Sequence, residues 1–260
     1  MTKFIFSFLL IALFTTTAAS QSKDTLTINA KDINTKWLVE GEHRYLVYFK
    51  LAPGATRTNT NFWTRSIKRT NTNGRPTITV SQEWEDKDTI MHTVNTVCDA
   101  RNMQTLTHQS WWKGRGEAAV DFEKGSIKVN AKELSSQDTA SRNQAIWNAF
   151  KSTDNQFFLN WHLDLEVFPT LPFKNGRTFL IPFYDPATGL ALDKYAYTVI
   201  GSAVLTGYDK KEVDCWVMTH DSKGSKEKFY ISMKTQEVLK LEQEVNGKMW
   251  RYKIKLAFSE

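Results

Sequence analysis

The sequence predicts a mainly β protein: a curved antiparallel sheet, a half-barrel or open barrel of meander hairpins, with a short helical insertion covering one face. Two-residue turn signals recur between runs that alternate apolar and polar residues, and an assumed turn fixes which side chains share a face. Only residues 135–172 change to helical spacing. Nine Trp, 16 Phe and eight Tyr supply large apolar surface, and 41% hydrophobic against 24% charged residues excludes a disordered chain.

The first twenty residues are laid out as a secretory signal peptide (1–20). Lys3 gives the positive start, Phe4 to Phe14 is almost wholly apolar, and Ala18-Ala19-Ser20 offers small residues before a cut ahead of Gln21. That apolar run is about eleven residues long, short of the ~20 that a membrane-crossing helix needs. No Cys follows it at the place where a lipid would be attached. Residues 21–260 are therefore expected to form a single half-barrel-like domain, exported in soluble form to the periplasm or the medium, with no transmembrane segment. The formal charge of +6 falls by one with Lys3, and no dense Lys/Arg run exists, so nucleic acid is not an expected partner.

The turns set the expected registers. Asn73-Gly74 places Trp63 across from Trp84 and Ile67 from Val80 on an apolar face, with Thr64, Ser66 and Lys68 against Thr79, Ser81 and Glu83 on a wet one. Lys124-Gly125 sets Phe122 against Ile127, Val120 against Val129 and Asp121 against Lys128. Asp209-Lys210, read as a turn, puts Ala203 opposite Trp216 and Gly201 opposite Met218, while Lys223-Gly224 pairs Trp216 with Ile231 and Met218 with Phe229. Asn246-Gly247 pairs Leu239 with Ile254 and Leu241 with Tyr252, so that Trp250, Tyr252 and Ile254 point inward and Arg251, Lys253 and Lys255 outward.

In the helical segment (141–166), Ser141 caps a first helix carrying Ala145, Ile146, Ala149 and Phe150, and Asp154 caps a second carrying Phe158, Trp161 and Leu165. Pro169 and Pro172 close it. Cys98 and Cys215, the two cysteines, either pair as a disulfide in an oxidising compartment or stand as separate buried thiols.

From Arg177 onward, Phe183-Tyr184-Asp185-Pro186, the strand Tyr195 to Leu205, Cys215-Trp216-Val217, Lys228-Phe229-Tyr230-Ile231 and Glu237-Val238-Leu239-Lys240 share a strand rhythm. Over residues 177–258 that rhythm resembles uncharacterised exported domains whose fold is similar to the outer-membrane lipoprotein carrier. The resemblance implies a half-barrel with a hydrophobic concave face, which in the carriers accepts acyl chains. It carries over no catalytic residue and no ligand identity.

Three functions follow as expectations. In the first, Trp63, Trp84, Phe158, Trp161, Trp216 and Phe229 line a concavity that holds a hydrophobic small molecule, a lipid acyl chain or a partner's segment, without catalysis and without cofactor or metal. In the second, a sheet edge or one of the Trp111-Trp112 pair, whose side chains alternate faces, docks a cell-envelope protein. In the third, Glu83, Glu85, Asp86 and Asp88 supply a carboxylate pair for glycan hydrolysis beside Trp63 and Trp84, although Glu83 and Glu85 share the face opposite to Trp84. Of His43, His92, His108, His162 and His220, the suggestive pair is His92 with His108. A loop at Asp99 to Asn102 sets His92 against Gln109 and His108 against Thr93, on opposite faces, so no metal is expected there. No Gly-x-Ser-x-Gly elbow or phosphate-cradling glycine loop occurs. The export reading predicts that N-terminal sequencing of secreted material begins at or within a few residues of Gln21, whereas an intact Met1 overturns it.

Overall fold

The computed structural model describes residues 24–207 and 210–257. The expected signal peptide and its cut before Gln21, and Asp209 of the expected turn, lie outside the described residues. After β1 (Thr25–Thr27) and single 3-10 turns at Ala30–Asp32 and Thr35–Trp37 comes a long meander: β2 (Gly41–Lys50), β3 (Thr58–Thr72), β4 (Arg75–Asp86), β5 (Thr89–Asp99), β6 (Thr105–Trp112), β7 (Gly116–Asp121), β8 (Ser126–Val129) and β9 (Lys132–Glu133). Helix α1 (Ser141–Lys151), the two-residue strand β10 (Leu159–Asn160), a 3-10 turn at Trp161–Leu163, helix α2 (Asp164–Val167) and a 3-10 turn at Phe168–Thr170 follow. A second meander completes the described chain with β11 (Thr178–Tyr184), β12 (Asp193–Thr206), β13 (Glu212–Ser222), β14 (Ser225–Ser232), β15 (Val238–Val245) and β16 (Met249–Lys255).

All sixteen strands form one open sheet. The two meanders join where β16 pairs antiparallel with β2, from Trp250 opposite Lys50 to Lys255 opposite Tyr45. β1 and β10 lie parallel to β11 at one border, and β9 ends the sheet at the other without closing a barrel. Inside the curve sits the chain from Leu159 to Leu171. Its Leu163, Leu165, Val167 and Phe168 share a core with Phe179, Ile181, Tyr197, Met218, Phe229 and Leu241 of the second meander and Tyr45, Val47 and Trp63 of the first. A smaller core packs Ile146 and Phe150 of α1 on Val120, Ile127 and Leu134. The half-barrel reading therefore stands, with the concavity occupied by the chain itself.

The helical insertion is split. Helix α1 buries Ile146, Ala149 and Phe150 as expected, although the cap position is Ala140 and Ser141 is the first helical residue. No second helix starts at Asp154. Leu159 and Asn160 instead pair with Phe183 and Tyr184, so their backbone groups bond to the border of β11 rather than along a helix. The Asn160 side chain then accepts from the His162 N–H and restarts the turns.

The Asn73-Gly74 and Lys223-Gly224 registers are as read: Trp63 faces Trp84, Ile67 faces Val80, Trp216 faces Ile231 and Met218 faces Phe229. Elsewhere loop length or a bulge alters the count. The Lys124-Gly125 loop is two residues longer, which pairs Val120 with Ile127 and Asp121 with Ser126 and leaves every residue on its expected face. A bulge at Ile200 moves Ser202, not Ala203, opposite Trp216. At Asn246-Gly247 the loop takes in Lys248, since Val245 pairs with Met249. That single residue turns β16 over: Lys253 and Lys255 are buried and Arg251 also points inward, while Trp250, Tyr252 and Ile254 are only half-buried. The outward reading of the three cations is thus corrected. Their burial predicts that Lys253→Ala costs about 3 kcal/mol, by stranding an anion inside, and Trp250→Ala about 1 kcal/mol. Urea unfolding of the two variants checks this, and a larger loss at Trp250 restores the outward register.

Candidate functional site

The inner surface between the sheet and the segment from Leu159 to Leu171 gathers most of the buried polar chemistry. β3 alternates Trp63, Arg65 and Ile67 toward the interior, which brings a guanidinium under the segment. Arg65 Nε donates to Glu166 Oε1 at 2.7 Å, and Nη2 donates to Glu166 Oε2 at 2.6 Å and to the His162 carbonyl at 2.5 Å. Its Nη1 lies 3.7 Å from Asp164. Burial works against the Arg65 charge, but Glu166 and Asp164 outweigh it and hold its pKa above the ordinary value. From β16, Lys253 Nζ approaches Asp164 Oδ2 at 3.5 Å and stands 4.4 Å from the centre of the Trp63 ring. Burial brings its pKa down to about 8, with Asp164 opposing. Burial also pushes Asp164 upward, yet Lys253 and Arg65 prevail and hold it below the usual carboxylate range. One strand position further on, Lys255 pairs with Glu237 and lies 2.9 Å from His43 Nδ1.

A second polar group adjoins the first through His162. His92 and His108 do not project from opposite sides of the sheet as their spacing suggested. The loop before β6 reaches Gln104 and a bulge follows Thr105, so His92 faces Trp112, His108 faces Thr96, and both imidazoles enter the interior. His92 Nδ1 donates to the Trp111 carbonyl at 2.7 Å, and its ring stacks on Trp112 at 3.7 Å. The Asn160 amide donates to His108 Nδ1 at 3.0 Å, which assigns the His108 proton to Nε2. The His162 ring stands 5.5 Å from His92 and 4.9 Å from His108, with Nε2 3.3 Å from Asp185 Oδ1. Gln82 donates to the His162 carbonyl at 2.6 Å.

Within this group His92 Nε2, His108 Nε2, Gln82 Oε1 and Trp84 Nε1 are buried and make no hydrogen bond among the described residues. Two accept and two donate, a mixture that suits a small polar group and not a cation, which needs acceptors alone. No set of three or more His, Cys, Asp or Glu among the described residues is arranged to hold a metal ion. Burial draws the His92 pKa down to about 4 and that of His108 well below its ordinary value.

The six aromatic residues singled out from the sequence fall into separate places. Trp63 and Trp84 stack at 3.7 Å beside the histidines. Phe229 lies beneath Phe168 at 4.8 Å, and Phe158 is buried on the α1 side against Phe122 at 4.8 Å. Trp161 and Trp216 keep part of their surface exposed, Trp161 between Phe183 and Tyr195 at 5.2 and 4.5 Å, and Trp216 stacked on Phe173 at 6.2 Å. Trp111 is exposed and Trp112 half-buried, on opposite faces as alternation requires. Glu83 and Glu85 stand on the outer face opposite Thr64 and Phe62. Cys98 and Cys215 are separate buried thiols, pushed up by burial to about 12 and about 11, so the disulfide alternative falls: β5 and β13 lie far apart in the sheet.

Arg65 was accessible to sequence reasoning, since it shares parity with Trp63 and Ile67 on the face already read as apolar. Lys253 and Lys255 were not, because one residue in a turn decides their direction.

An open antiparallel sheet wrapped around its own short helical segment is the class that this geometry defines. Residues 44–256 match the family described as Protein of unknown function (DUF3108), and the chain belongs to that family. Among solved structures, it is similar to a beta-barrel-like protein of domain of unknown function DUF1849 from Brucella abortus, at 9% identity and a TM-score of 0.39 over 84% of this chain and 98% of that one. No curated protein matches.

The histidines predict a pH dependence of stability. Both bind protons more weakly folded than unfolded, so the unfolded state takes up more protons below about pH 6.5, and stability falls from there toward about pH 4 at about 1.4 kcal/mol per pH unit for each histidine. His43, also lowered by burial and by Lys255, adds to the loss that urea midpoints between about pH 7.5 and 5.5 should show, and His92→Asn should remove a substantial part of the slope. An unchanged slope in the variant would contradict the assignment.

Proposed function

We propose that this chain is an exported, non-catalytic binding module of the cell envelope or medium, which seats an apolar guest at the ends of its internal segment. The observation that carries the reading is the pair of partly exposed aromatic ledges, Trp161 with Tyr195 and Phe173 with Trp216, which pack at the margins of the core while the rings between them are buried. Between them Phe168 closes directly on Tyr197 at 5.0 Å and on Phe229, so a guest enters at the ledges rather than through the middle. The strand rhythm of residues 177–258, which resembles that of exported domains with a carrier-like fold, favours an acyl chain or a comparable hydrophobic segment of a partner. No helix among the described residues is long and apolar enough to cross a membrane, and the guest is taken to reach the protein in the aqueous phase. Lipid binding needs no titrating nucleophile, and the polar interior serves to hold the segment in place.

A fluorescent fatty acid should bind the chain at micromolar concentration, a free energy of about 8 kcal/mol. Trp161→Asp or Trp216→Asp should weaken binding by about tenfold or more, which is a loss of about 1.4 kcal/mol, whereas Glu83→Ala and Glu85→Ala should leave it intact. Absence of probe binding, or glycan turnover that disappears with the Glu variants, would replace this reading with the hydrolase.

A further inference from the structure

The two ends of the sheet are treated very differently. On one side the last strand, β9, is two residues long, and both are charged: Lys132 and Glu133. Short, charged edges discourage pairing with another chain. On the other side β12 runs on past its neighbour. Its pairing with β11 ends at Thr198 opposite Thr178, followed by the bonds of Val199 with Arg177 and Gly176. From Gly201 to Thr206 it has β13 on one flank and, among the described residues, no strand on the other. Apart from the bulge at its base, this overhang lacks the charge and proline that usually protect an edge. Ile200 to Gly207 contains neither a charge nor a proline, and Ile200 and Val204 are 58% and 52% exposed.

We propose that the uncovered edge of β12, Gly201 to Thr206, is the interface between two copies of this chain, paired antiparallel about a two-fold axis. A strand edge meeting itself across such an axis is self-complementary by symmetry, and an uncharged run meets no like charge when it does so. The second copy is the partner because it presents the very surface required: a short, β-prone, uncharged strand with open backbone groups. Pairing covers Ile200 and Val204 and supplies the missing backbone partners. The bulge at Ile200 falls where the pairing with β11 ends and the overhang begins. The proposal is independent of the guest reading, for it needs only the backbone edge and no aromatic ledge.

Sedimentation velocity on residues 21–260, from micromolar to about 200 µM, should show a concentration-dependent species of twice the monomer mass. Val204→Lys and Val204→Glu each place like charges across the axis and should be monomeric, with circular dichroism and melting unchanged because the residue is exposed. Mixing the two variants should restore the dimer. A wild-type chain that stays monomeric throughout overturns the proposal, even where it captures an extended peptide, and so does a dimer that persists in both folded variants. Fatty-acid binding by a strictly monomeric chain would sink this inference and leave the guest reading standing.

Discussion

The bidentate contact between Arg65 and Glu166 is the constraint on which the interior depends. A guanidinium this deeply buried is tolerable only when its charge is paired and its donors are engaged, and the carboxylate of Glu166 and the carbonyl of His162 take three hydrogen bonds from it on the facing segment, with Asp164 beside Nη1. The contact fixes the height and rotation of the chain around residues 162–166 above the sheet. Asp164 then reaches Lys253, and the His162 ring comes between His92 and His108. An apolar segment of the same length would have many ways to lie in a curved sheet. A charged one has few, because each misplacement strands a charge in low dielectric.

The polar groups are graded across the concave face. Ion pairs occupy the middle, where β16, β2 and β3 meet. Neutral imidazoles and indoles occupy the flank formed by β4 to β6, and hydrocarbon and aromatic rings fill the side of β11 to β13. Burial accounts for the neutral state of His92 and His108, since neither has a carboxylate as hydrogen-bond partner. Trp63 connects two of these zones, with the Lys253 ammonium near one ring face and Trp84 stacked on the other side of its environment.

Much of the fold was legible because hairpin turns carry parity. Asn73-Gly74 and Lys223-Gly224 have two-residue loops and delivered the right partners, whereas at Asn246-Gly247 the sequence signal is the same and the loop takes in one residue more. No local chemistry distinguishes these cases. What favours the longer loop is the pair of anions inside, Glu237 just ahead of β15 and Asp164, which a segment remote in sequence brings there. The same holds for His92 and His108, whose common face depends on a bulge after Thr105. Side chains whose direction is set within one uninterrupted strand, such as Arg65, could be read; those beyond a bulge or an ambiguous turn required the tertiary partner.

The seam between β16 and β2 has a consequence for how the molecule is assembled. Each meander can form by adding neighbouring hairpins in the order in which the chain emerges, but β2 gains its second neighbour only when the final strand of the described chain is available. The contact between Tyr45 and Lys255 closes a loop over most of the described chain, a non-local pairing of the kind that slows folding. Until then the Val47 edge and the hydrocarbon around Leu165 are open to solvent and to other chains. A nascent chain released before residue 249 would present two half-sheets with no seam to join them, a state in which holding the chain unfolded until it is complete is the safer course.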